Sequence, residues 1–272
     1  MRNMIKKFIL LNVVIIIGSL TVLSQSEQLI VNLSPTANKQ VLTFENPKGS
    51  IKATGYDGNN IVINAYLRVH EAEKQAQKSV TRIGRNSFDI YAETNGNNVN
   101  LFCREVDKTV DVDIKLPKNF SLKLRSLDNG TVQVINVNGD IEVDNANGDI
   151  ILENISGSAS LNSVYGKIIA TFREVRPDCP MMFTSLEGDI SINLPAGLNA
   201  VLKMKTGSGE IYSDFDLPHA KVQPDVNNTE NNKVSSLEDW ILEKINSGGP
   251  EYVIRSYSGK IFIKKNRISR NF

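Results

Sequence analysis

The chain has 272 residues, 40% of them apolar, with 31 basic against 30 acidic side chains and a formal charge of +1. These proportions exclude a disordered or fibrous chain and leave room for one large or two modest globular domains. Near-neutrality also argues against nucleic acid as a partner.

The N-terminus opens with basic residues at Arg2, Lys6 and Lys7, an apolar run from Phe8 to Leu23, and small or β-branched residues at Val22 and Ser24. This is the pattern of a signal peptide over residues 1–24, and it predicts export to the periplasm, cell envelope or cell surface. Cleavage leaves 28 basic against 30 acidic side chains, a formal charge of −2. If uncleaved, the same run is the one membrane contact expected. No cysteine follows the run to take a lipid.

Residues 27–120 read as strands of the same domain and partly as an N-terminal β cap, since a bare solenoid end invites strand-to-strand aggregation. Val110, Val112, Ile114 and Leu116 alternate strictly before Pro117. His70–Ile83 is rich in helix formers and predicts a short helix or an exposed crossover.

A nine-residue beat then begins, with glycine at Gly130, Gly139, Gly148 and Gly157. Two residues after each stand Val132, Ile141, Ile150 and Ala159, and two further on Val134, Val143, Leu152 and Leu161. Alternation of this kind sends both side chains to one face of a short strand. Asparagines just before glycine (Asn129, Asn138, Asn147) and two residues earlier (Asn136, Asn145, Asn154) suit tight turns.

The Gly-x-aliphatic signature returns at Gly188, Gly209 and Gly259. Full coils of 18 to 22 residues are therefore expected, each too small to bury its own apolar face and stable only when stacked. Five or six coils at about 4.8 Å each would give roughly 25 Å of column.

The fold class is thus all-β: a short single-stranded, β-helix-like solenoid over residues 25–267 (repeat region about 121–265), an N-terminal β cap, one insertion at 217–249 and a tail at 268–272. Within the insertion, Ser236 to Asp239 can form a capping box ahead of Trp240, Ile241, Leu242 and Ile245, which predicts a helix. Trp240, Leu237 and Ile241 are the candidate partner-binding residues, because a segment not demanded by the repeat is available for recognition.

The Val-Asp-Ile-Lys-Leu-Pro segment at 112–117, the Gly-x-Ile repeats and the closing strand Ser258 to Ile263 resemble a family of bacterial putative-adhesin domains of unknown function, exported β-solenoid proteins. The resemblance implies a β-helix-like fold and a cell-envelope location, and it supplies no catalytic residues.

Other chemistry finds little footing. Asp144 falls at the aspartate position of the calcium-binding nonapeptide, but Asp140 and Glu142 occupy the positions that need glycine. Asp140, Asp149, Asp189 and Glu210 share the position after glycine, which the need for polar outward residues already explains. Gly207-Ser208-Gly209 is no nucleophile elbow, and there is no phosphate-loop, HExxH or dinucleotide motif.

His70 and His219 read as surface residues, and Lys264, Lys265, Arg267 and Arg270 as a solvated basic end. Cys103 and Cys179 could pair or remain free thiols. The expectation is a non-enzymatic module, needing no cofactor or metal, that binds an envelope protein or glycan. The alternatives are a carbohydrate-active β-helix enzyme and a self-assembling scaffold.

Overall fold

The computed structural model describes residues 26–33, 39–68, 89–96, 98–217 and 240–266. The leader, the expected helix at His70–Ile83, Leu237, His219 and the tail lie outside them.

The described residues form two ten-stranded sheets facing each other across one apolar core. In the repeat, strands alternate between the sheets. β9 (Val132–Ile135), β11 (Ile150–Gly157), β13 (Ile168–Val175) and β15 (Ile190–Pro195) stack in the first sheet. β8 (Ser121–Ser126), β10 (Ile141–Asn147), β12 (Ala159–Tyr165) and β14 (Met181–Glu187) stack in the second.

Parallel pairing sets Val132 beside Ile150 and Ile150 beside Ile168, while Ile141 pairs Ala159. Residues eighteen apart therefore do sit above one another, and the nine-residue beat is half a coil. Each strand turns alternate side chains inward, so Ile150, Leu152, Ile168 and Ala170 are completely buried from one sheet and Leu161 and Phe183 from the other.

At one corner the coils approach so closely that only glycine fits. A Cβ on Gly130 would meet the Gly49 carbonyl oxygen, one on Gly148 the Gly130 oxygen, and the chain of contacts continues through Gly166, Gly188, Gly259 and Gly209. Gly148 also holds φ at +137°, a conformation that L side chains rarely adopt.

These glycine carbonyls receive hydrogen bonds from a ladder of buried polar side chains at the adjoining strand ends. Asn145 Nδ2 donates to the Gly130 oxygen at 2.9 Å, Ser126 Oγ to Gly49 at 3.2 Å, Ser163 Oγ to Gly166 at 3.2 Å and Ser256 Oγ to Gly188 at 3.0 Å. Asn145 is thus an inward strand residue and not a turn former. Asn129, Asn136 and Asn154 do take left-handed φ values.

The column is longer than the repeat alone predicts. β2 (Val41–Asn46) and β3 (Ile51–Tyr56) join it in parallel register, as does β6 (Asn98–Cys103), and β7 (Val110–Pro117) lies beside β3. Ten strands at about 4.8 Å spacing extend roughly 43 Å.

The capping is done by antiparallel strands. β1 (Ser26–Asn32) pairs β4 (Asn60–Leu67), β4 pairs β7, and β5 (Ile90–Asn95) pairs β6. Strand order departs from chain order at the other end. β19 (Glu251–Ser258) lies between β14 and β16 (Ala200–Thr206), and β20 (Ile261–Asn266) between β15 and the three-residue β17 (Ile211–Ser213).

The expected helical insertion is corrected where the structure describes it. Ile241–Ile245 is β18, antiparallel to β16. Glu243 and Ile245 are buried whereas Leu242 and Lys244 are exposed, a period of two. Pairing with the otherwise open edge of β16 satisfies a row of backbone groups and outweighs the segment's helical pattern.

Both cysteines are free, Cys103 buried in the core and Cys179 half-buried on the β13–β14 turn.

The glycine column yields a direct test. Gly148→Ala places a Cβ 2.2 Å from the Gly130 oxygen, whereas Gly197→Ala meets nothing within 4 Å. Urea denaturation should show a loss of about 3 kcal/mol or more for the first, from overpacking and backbone strain together, and under about 0.5 kcal/mol for the second.

Candidate functional site

Because the sheets are in register, each outward row of side chains runs straight along the column. One row of the second sheet passes through Lys123, Glu142, Ser160, Met182, Val253, Lys203 and Leu242, one from each of seven adjacent strands. Seven strands span about 29 Å. A groove of about 510 Å³ follows this row, and Lys39, Asp140, Ser158 and Glu251 also line it.

Charges along the groove are paired. Lys123 Nζ lies 2.9 Å from Glu142, and Lys203 Nζ lies 3.9 Å from Glu251. At the C-terminal end the row meets Trp240, whose ring centre is 5.2 Å from Lys203 Nζ and 5.8 Å from Lys205 Nζ.

Trp240 is half-buried there, and Ile241 and Leu242 are exposed on the neighbouring edge strand. Ile241 has the inward parity of its strand but remains 42% exposed among the described residues. Of the sequence-predicted binding residues, the structure places Trp240 beside the outward row at Lys203 and Lys205, leaves Ile241 on the opposite face of the edge strand, and leaves Leu237 outside the described residues. The remainder of the groove has no local motif; only strand register assembles it.

Asp140 is the most heavily engaged group in the groove. It accepts hydrogen bonds from Lys39, from Arg176 and, at 2.7 Å, from Ser158 Oγ. Burial pushes its carboxyl up, but these bonds outweigh that effect and hold it at about 2, against an ordinary 3.8.

The other acids that follow glycine serve the stacking. Asp149 Oδ1 accepts from the Lys167 N–H at 2.8 Å, and Asp189 Oδ1 from the Lys260 N–H at 2.9 Å. Glu210 is held below the usual range by Tyr212 and by Lys260. Each of these carboxylates steadies the next coil, so their shared position has a structural role beyond solubility. At Asp140 and Glu210 the carboxyl is lowered, opposite to the upward shift that a glycosidase's proton donor needs. Among the described residues, no group of three or more His, Cys, Asp or Glu could hold a metal ion.

The depressed Asp140 carboxyl links stability to acid. Its contribution is fully present above about pH 5, where the unfolded carboxyl, ordinarily at 3.8, is ionised, and is lost as pH falls through about 2. After allowance for solvent at the groove's rim, denaturation between pH 6 and pH 2 should show about 1–2 kcal/mol of acid-sensitive stability that is missing in Asp140→Asn.

The chain is similar in structure to a putative cell adhesion protein from Clostridium sporogenes, with 13% identity over 89% of this chain and 100% of that one and a TM-score of 0.48. It is similar also to a putative adhesin from Bacteroides fragilis (12% identity, 89% and 97% covered, TM-score 0.37). A third similar structure is a putative lipid binding protein from Parabacteroides distasonis (10% identity, 89% and 97% covered, TM-score 0.34). No curated protein matches the sequence. The Toastrack DUF4097 family model matches residues 15–264, nearly the whole chain, and the protein belongs to that family.

Proposed function

We propose that residues 25–267 form a non-enzymatic module, exported to the cell envelope or surface, that binds an extended protein or glycan partner along the outer face of the second sheet. The observation that carries this reading is the continuous row from Lys123 to Leu242, grooved from Lys123 to Val253 and ending beside Trp240. A rigid sheet fixes these side chains at strand spacing, so a linear partner meets them without ordering the protein first.

The row is chemically mixed. Met182 and Val253 offer apolar contact, Ser160 a hydroxyl, and Lys123, Glu142 and Lys203 hydrogen-bonding charges. Trp240 adds an aromatic face of the kind that dominates binding surfaces. Export rests on the leader at residues 1–24. A role without catalysis accords with Asp140 and Glu210, which are tied to cations and serve as structural anions.

The chain's one tryptophan makes the test site-specific. Titration with purified peptidoglycan fragments, outer-envelope polysaccharide and extended peptides should give a saturable change in Trp240 emission for one of these classes. Met182→Glu and Lys203→Glu should each weaken that binding about tenfold, a loss of about 1.4 kcal/mol. Calorimetric binding that both substitutions leave intact would move the site elsewhere, and an absence of saturable binding across the panel would remove the function.

A further inference from the structure

Charged residues that face each other in register across the described strands are of opposite sign, with one exception. Lys52 stands opposite Asp113, Lys123 opposite Glu142, and Arg125 between Glu45 and Asp144. On the outer face of the second sheet, however, Lys205 of β16 is directly opposite Arg255 of β19. Like charges so placed repel.

Nothing among the described residues relieves that repulsion. Arg255 is exposed and makes neither an ion pair nor a hydrogen bond with any of them. Lys205 lies 5.8 Å from the centre of the Trp240 ring, which it shares with Lys203, and an aromatic ring steadies a cation without cancelling its charge. On its other side Arg255 adjoins Thr184 in register, whose hydroxyl can donate. Trp240 precedes the Ile241–Met204 pair, so it falls on the outward side next to Lys205, two strand spacings or about 10 Å from Arg255.

We propose that Arg255, Lys205 and Thr184 form an anion-binding subsite for an acidic glycan, whose carboxylate or phosphate bridges the two cations while a sugar ring lies against Trp240. The subsite lies on the face proposed above for an extended partner and rests on that reading, adding the partner's chemistry. An acidic peptide would use the cations alone. A sugar acid uses both halves, the less polar face of its ring on the indole and its charge on Lys205 and Arg255. Towards Lys123 and Arg125 the face is charge-matched, so the field that draws an anion is concentrated at the Trp240 end.

The test titrates the full chain by calorimetry with oligogalacturonide, its neutral methyl ester, a phosphorylated maltooligosaccharide and oligoglutamate of matched charge, at low and at high salt. One of the acidic glycans should bind about tenfold more tightly than the neutral ester at low salt, and the margin should close at high salt. Arg255→Gln and Lys205→Gln should each weaken that acidic glycan about tenfold and leave the ester unchanged, whereas Trp240→Ala should weaken the glycans but not oligoglutamate. Without ligand, Arg255→Gln should raise the melting temperature by about 1 °C at low salt, because the repulsion is gone. A lowered melting temperature would give Arg255 a structural partner and overturn the subsite. Equal binding of acid and ester also overturns it, while leaving the face as a binding surface. Tighter binding of oligoglutamate than of either acidic glycan replaces the glycan with an acidic peptide, and no saturable binding by any of these probes removes both the subsite and the reading it rests on.

Discussion

The architecture depends on one close approach. Successive coils stack in parallel register only if the carbonyl of one glycine can occupy the space where the next residue's Cβ would stand, and this recurs from Gly49 to Gly209 along a single corner. The backbone of each coil is thereby locked to its neighbour, and the carbonyls so confined must be satisfied from within. Asn145, Ser126, Ser163 and Ser256 do this, which explains why polar side chains run through an otherwise apolar interior. Glycine outside and amide or hydroxyl inside are two halves of one device.

The repeat itself was legible. Apolar residues at fixed offsets after each glycine specify an inward face, and the eighteen-residue stacking of Val132, Ile150 and Ile168 follows from the spacing. What escaped the sequence was whatever depends on non-local pairing. Asn145 looks like a turn residue because its neighbours do, and its burial is visible only once the next coil supplies a carbonyl. Trp240 to Ile245 has helical spacing, yet the open edge of β16 imposes a strand. The groove row was equally invisible, since Lys123 and Lys203 lie eighty positions apart in the chain and are brought onto one line by register alone.

The same economy bears on function. Placing an acid after glycine puts a carboxylate where it can accept a backbone N–H from the adjacent coil, as Asp149 and Asp189 do. Charges committed to holding coils together are poor agents of proton transfer but good fixed landmarks on a surface. Such a lattice is the feature behind the proposed reading of a long, regular partner, and the cluster around Asp140 joins it to the β13–β14 turn through Arg176.

The placement of β19 and β20 bears on how the molecule is made. Both are wedged between strands that precede them in the chain, parallel to neighbours on either side. Synthesis from the N-terminus delivers β16 and β17 first, yet their proper partners do not then exist. The distal coils must wait with unmatched edges until β19 and β20 arrive, and if β16 closed prematurely onto β14 it would have to be displaced. The growing column can therefore nucleate in its middle and lengthen by accretion, but its far end is completed by intercalation, so β19 and β20, which emerge after the strands on either side of them, decide whether that end is sealed.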